Sequence, residues 1–150
     1  MKNWILMIMS VNSSLERLTE NIDKKVESVA LTFAGDTISK VETIIKLNDK
    51  KISLINLRVM YEKFCEKLSD EEIKMLKDFA FGKSVRQLAQ EKGNAISTTY
   101  RKLSKAFKKA ESVLVAIGFD ENRFLSYLQF PYIKAKIKAI KRRTKSEEIA

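Results

Sequence analysis

The chain has no histidine, one cysteine, one proline and four glycines in 150 residues. Without an imidazole base, Cys-His nucleophilic catalysis is excluded. A lone cysteine with no histidine cannot assemble an ordinary zinc site. Cys65 has no partner for an internal disulfide. In YEKFCEKL, beside Phe64 and Leu68, it reads as a small buried apolar residue. The scarcity of proline and glycine, with abundant Leu, Ile, Lys and Glu, argues for an all-α chain. No glycine loop of the phosphate-cradling kind is present, and the acidic residues form no pattern beyond helix caps and surface pairs. No enzymatic activity, cofactor or metal is therefore expected. Long apolar runs are also missing. The run Trp4–Met9 in MKNWILMIMS falls far short of the ~20 residues that span a bilayer. It is also short for a signal peptide, and no small-residue cleavage pattern follows it. The expectation is a cytoplasmic protein without membrane insertion. The run itself suits packing on a core, pairing with another subunit, or a misplaced start.

A chain of 150 residues fits one domain, alone or with a helical extension, and suffices for a hydrophobic core. Its charge is one-sided. Residues 1–75 carry 12 basic and 12 acidic side chains, whereas residues 76–150 carry 17 and 7, so the second half holds the whole excess of +10. A localised basic excess is the electrostatic footprint of a polyanion binder. An anionic membrane surface is the rival partner, and a merely solvating surface the bland alternative. Richness in Lys, Ile and Asn suits an AT-rich bacterial genome.

In the first half, Leu15, Leu18, Ile22, Val26, Val29 and Phe33 recur at spacings of three and four, the stripe of an amphipathic helix. Ala34-Gly35-Asp36 breaks it. Ile38, Val41, Ile44, Ile45 and Leu47 form a second pattern, and Asn48-Asp49 predicts a turn. A third pattern, from Lys50 to Leu68, holds Ile52, Ile55, Val59, Tyr61, Phe64 and Leu68. Residues 1–67 thus read as a neutral helical bundle or a pair of hairpins, whose stripes serve a core or a homodimer equally well.

The most informative stretch is LSDEEIKMLKDFAFGKSVRQLAQEKGNAISTTYRKLSKAFKKAESVL, Leu68 to Leu114. Ser69 with Glu72 predicts a capping box opening a helix over 70–81, with Ile73, Leu76, Phe79 and Ala80 on its inner face and Gly82 as its stop. Ser84 opens a second helix with Val85, Leu88 and Ala89, ended by Gly93. A third, longer helix begins near Ile96 and ends at Gly118. On it Ile96, Thr99, Leu103, Ala106, Phe107, Ala110 and Leu114 fall in one apolar arc at 100° per residue, predicted to face the first two helices. Ser97, Tyr100, Arg101, Ser104 and Lys108 share an adjoining polar arc, with no acidic residue from Asn94 to Ala110.

Leu88, Ala89, Gly93, Ser97, Thr98, Tyr100 and Arg101 stand where a bacterial helix-turn-helix has its apolar-Ala pair, turn glycine, Ser/Thr-rich helix start and Tyr-Arg pair. With the preceding helix, about a third of the chain resembles region 4 of sigma-70-type transcription factors. The family usually has Leu at the position of Lys92, Ile or Val at Asn94, Ser or Thr at Ala95 and Val at Thr99, so this is a diverged member of the pattern. Ile96 is expected to fill the gap left by Asn94. The resemblance implies a helix docked in the major groove of double-stranded DNA. Arg101 would take a guanine bidentately, and Tyr100 would bond a phosphate or stack. Ser97 and Ser104 would share the contact face, while Lys83, Arg86, Lys105 and Lys108 would hold phosphates. RNA polymerase is the alternative partner, bound through the diverged motif acting as a protein-interaction module. The first half has no aromatic, basic cluster of the kind a sigma region 2 uses to melt promoters.

Beyond Gly118, Asp120 opens a short helix with Phe124, Leu125, Tyr127 and Leu128, and Pro131 interrupts it. The tail carries Lys134, Lys136, Lys138, Lys141, Arg142, Arg143 and Lys145, with Ile133, Ile137 and Ile140 at helical spacing. Such a basic amphipathic helix can follow phosphates, an anionic membrane or an acidic partner, or it can be a solvated, mobile end. The sequence thus divides into a helical region 1–67, a helix-turn-helix domain 68–117, and a C-terminal helix with basic tail, 118–150. The reading it favours is a DNA-binding transcription regulator.

Overall fold

The computed structural model describes residues 1–32 and 35–149, with side chains to residue 145. Phe33 and Ala34, placed above on a stripe and in a helix break, lie outside the described residues. All regular structure among the described residues is helical: α1 (Lys2–Val11), α2 (Leu15–Leu31), α3 (Thr37–Lys67), α4 (Asp70–Ala80), α5 (Val85–Lys92), α6 (Ile96–Ala116), α7 (Glu121–Phe124) and α8 (Pro131–Ile149). No helix among these residues is long and apolar enough to cross a membrane.

The chain forms two compact units, Met1–Val11 with Met60–Ala150, and Asn12–Val59. The first is discontinuous in sequence. Its centre is α1, which touches α4, α6 and α8. Every residue from Trp4 to Val11 is buried, so the apolar run belongs to the core of the unit that carries the basic second half. Trp4 stacks on Phe124 with centroids 5.1 Å apart. Phe79 of α4 meets Phe107 of α6 edge to face at 6.1 Å, a favoured aromatic geometry. Burial pushes the Tyr127 phenol up to about 12.

The tail is folded as α8. Pro131 is its first residue, where the missing N–H is no loss. Ile133, Ile137 and Ile140 are buried, while Lys134, Lys138, Lys141, Arg142 and Lys145 are exposed. The isoleucines therefore serve the core, and only the opposite face is open to a polyanion.

In the second unit, Leu15 and Ile22 of α2 and Leu54 and Leu57 of α3 are buried, and Lys51 Nζ bonds Asp23 Oδ1 at 2.7 Å. The Asp36 carboxylate accepts from Ser39 N at 2.7 Å at the start of α3. The turn expected at Asn48-Asp49 is absent, because α3 runs unbroken through both residues. Neither is a glycine or proline, and one Asn-Asp pair costs a helix too little to stop one anchored on both sides. Cys65, expected to be buried, is exposed. The buried positions of that segment are Met60, Phe64 and Leu68, and Cys65 falls between them on the other face.

Candidate nucleic-acid interface

Helices α4, α5 and α6 are mutually in contact. Their ends follow from local chemistry. Ser69 and Glu72 form a reciprocal capping box at α4, and Ser84 and Gln87 form another at α5. Helix α5 ends at Gly93, whose φ of 65° is the left-handed conformation that glycine adopts without strain. Gly93 N donates to Gln90 O, and Asn94 N donates to Ala89 O at 3.0 Å, the paired bonds of a Schellman ending. Leu88, Ala89 and Leu103 fill the space between α5 and α6, each under 5% exposed.

Of the positions that depart from the helix-turn-helix pattern the sequence resembles, Lys92 and Thr99 find partners. Lys92 reaches back to α4 and bonds Glu71 Oε1 at 2.8 Å. Thr99 is buried, and its hydroxyl donates to Ala95 O at 3.2 Å, so the polar atom standing in for a valine methyl is satisfied. Ala95 supplies no side-chain cap to α6. Ile96 does not enter the core as expected. It is 50% exposed: it shares the side of Thr99 and Leu103 but is the first residue of α6, and it lines a groove together with Tyr100 and Leu103.

Glu71 and Glu72 of α4 hold cations from α5 and α6. Besides Lys92, Glu71 lies 3.8 Å from Lys102, and Glu72 accepts from Lys109 at 2.9 Å. The hydrogen bond and charge of Lys92 hold the Glu71 carboxyl below its ordinary value. For Glu72, burial pushes upward but is outweighed by the bonds from Lys109 and Ser69.

The sequence-selected residues fall into three groups. Ser97, Arg101, Lys105 and Lys108 are exposed along the outer arc of α6. Among the described residues no carboxylate lies within 4.0 Å of Arg86, Arg101, Lys105 or Lys108. Lys83 differs. It pairs with Glu91 at 2.8 Å and Asp78 at 3.8 Å, and the Glu91 bond raises its ammonium above the ordinary value.

Tyr100, Ser104 and Arg86 line a groove of about 1170 Å³ together with the start of α1 and the end of α8. Leu6, Phe79, Leu103 and Phe107 also line it. Lys2, Arg86, Lys141 and Lys145 supply cations, and among the described side chains no carboxylate lines it. Lys2 was not legible as a site residue, since nothing in the sequence brings position 2 beside position 104. Within the first unit, basic side chains outnumber acidic ones 21 to 12, against 8 to 7 in the second.

No protein-family model, curated protein or solved structure matches this chain.

Proposed function

We propose that the chain is a DNA-binding transcription regulator that lays α6 in a major groove. The observation that carries this reading is the outer arc of α6. Ser97, Arg101, Lys105 and Lys108 stand exposed there, and the three cations are free of carboxylates among the described residues. A polyanion can take such cations without first breaking ion pairs, and counterion release from its phosphates then drives binding. Arg101 is the guanine-reading candidate, since its fork matches O6 and N7. Lys105, Lys108 and Arg86 hold phosphates. Lys83, already paired twice, contributes less. The reaction is binding only, and no metal or cofactor enters it.

The test is a selection on randomised duplexes. Wild type enriches a motif. Arg101→Ala relaxes one base position and costs about 1–3 kcal/mol at the preferred site. Lys105→Ala and Lys108→Ala weaken all duplexes alike. An unenriched wild-type pool, or an unchanged motif for Arg101→Ala, removes direct readout by α6.

A second reading is favoured by the groove. An apolar lining with four cations suits an acidic amphipathic segment of a protein partner, with RNA polymerase the partner that the sigma-like pattern suggests. Partner binding that survives Arg101→Ala but is lost when the exposed groove cations are reversed in Lys141→Glu with Lys145→Glu would favour it.

A further inference from the structure

The outward face of α3 carries a feature that the DNA reading does not use. Ile38, Val41, Ile45, Ile52, Ile55 and Val59 are 42–73% exposed. With Asn48 they step by three and four without a break, the a and d positions of three consecutive heptads. Ile38, Ile45, Ile52 and Val59 occupy a, and Val41, Asn48 and Ile55 occupy d. The following d position is Glu62, which ends the seam.

This stripe is separate from the side of α3 that faces α2. Leu54 and Leu57 are buried, Ile44, Leu47 and Lys51 are half-buried, and Lys51 bonds Asp23. At about 100° per residue these positions lie on the other side of the helix from Ile45 and Ile52. Helix α3 is thus apolar on two faces, and one is covered within the chain. Solvent-facing α-helical residues are ordinarily polar, so the second face calls for a covering surface.

We infer that this face is a parallel coiled-coil interface with a second copy of the chain. The identity of the occupant comes from Asn48. In a parallel, in-register pair each layer meets its own kind: isoleucine on isoleucine, valine on valine, and the one amide on the one amide. The two Asn48 side chains can then donate and accept across the seam. An antiparallel pair instead sets d against a, placing Asn48 against Ile45 or Ile52 and leaving its amide without a partner, a costly arrangement. A single polar residue at an a position is a known device for fixing register, and Asn48 places the same device at d.

The flanking charges agree. An antiparallel pair centred near Lys50 sets Asp49 against Asp49 and Lys51 against Lys51. The parallel pair sets Ile44 beside Asp49 and Lys51 beside Asn56, and its one like-charged neighbour pair, Arg58 with Lys63, falls at the end of the seam. Six aliphatic side chains at roughly 100 Å² apiece expose on the order of 600 Å², near the lower limit per partner for a specific interface. The seam runs about 32 Å at 1.5 Å per residue.

The test uses the full chain. Sedimentation equilibrium at micromolar concentration should give at least twice the 17.3 kDa chain mass, since isoleucine and valine at both a and d suit three or four parallel strands as well as two. Ile45→Lys with Ile52→Lys, both at exposed positions, should give the single-chain mass with unchanged helical circular dichroism. Wild type sedimenting as a single chain, or a double variant that keeps the wild-type mass, overturns the proposal. Direction is read by oxidation in a Cys65→Ser background. Asn48→Cys chains should link to one another. Linking only when Asn48→Cys chains are mixed with Ile52→Cys chains overturns the parallel arrangement. Both readouts are independent of DNA, so they stand or fall separately from the α6 reading.

Discussion

Arg143 Nη2 donates to the carbonyl oxygen of Ala80 at 2.8 Å, fastening α8 to the last residue of α4. A guanidinium at a helix C-terminus meets both an orphan carbonyl and the negative end of the helix dipole. The neighbouring Gly82 has φ of 113°, and a Cβ there would stand 3.1 Å from Arg143 Nη1. Glycine at this position thus leaves room for the guanidinium. Arg143→Ala should cost about 1.5–3 kcal/mol, the range for a hydrogen bond with a charged partner. Exposed Lys138→Ala should stay within about 0.5 kcal/mol. Urea titrations of the two variants make the comparison.

Leu88 and Leu103 bring α5 and α6 together, at 2% and 4% exposure. Truncating either to alanine should cost about 2–5 kcal/mol. Val115, 64% exposed on the same α6, should tolerate alanine within about 0.5 kcal/mol. Thermal or urea unfolding followed by circular dichroism separates the two outcomes.

Salt dependence isolates the contribution of α8 to DNA binding. Removing the tail outright would take away buried Ile137 and Ile140, so deletion would report on folding. Lys138→Gln, Lys141→Gln and Lys145→Gln alter only exposed side chains. For every phosphate that a lysine no longer neutralises, the slope of log affinity against log salt should flatten by about 0.9. An unchanged slope in the triple variant removes these lysines from the interface.

Acid should loosen α4 from its neighbours. Glu71 and Glu72 titrate below the ordinary 4.5 in the folded chain. Folded pKa values below the unfolded one mean stability that is fully present above about pH 4.5 and is lost as pH falls through the lowered values. Unfolding free energy measured from pH 7 downward should therefore hold and then drop on the acid side. Glu72→Gln should be less stable at neutral pH and show a shallower acid limb.

The all-helical class was legible from composition, and the helices 70–116 from their caps and glycines. Ser69, Ser84, Gly93 and Gly118 act within a few residues, and such local signals survive whatever the rest of the chain does. Cys65, Ile96 and Asn48-Asp49 were misjudged because they depend on which side of a helix faces a neighbour, on how far along the helix that neighbour reaches, and on how firmly the flanking turns are held. The placement of α1 was open for a similar reason. Trp4–Met9 is apolar on every side, and only long-range packing with α4, α6 and α8 decides where it goes. Along the outer arc of α6 the polar pattern was readable in advance. The groove was not, since it joins residues 2, 86, 104 and 145 from four separate helices.

The burial of α1 between α4, α6 and α8 sets an order of events during synthesis. Trp4–Val11 leaves the ribosome more than a hundred residues before its partner α8 is made. At roughly 5–20 residues per second, the apolar helix waits on the order of ten seconds before its core can close. The Asn12–Val59 unit, whose residues are contiguous, needs nothing from the later chain to bring α2 beside α3. Closure of the larger unit joins residues more than a hundred positions apart, a loop whose entropy makes folding slow for a helical protein. Moving α1 to follow α8 through a short linker should shorten that wait.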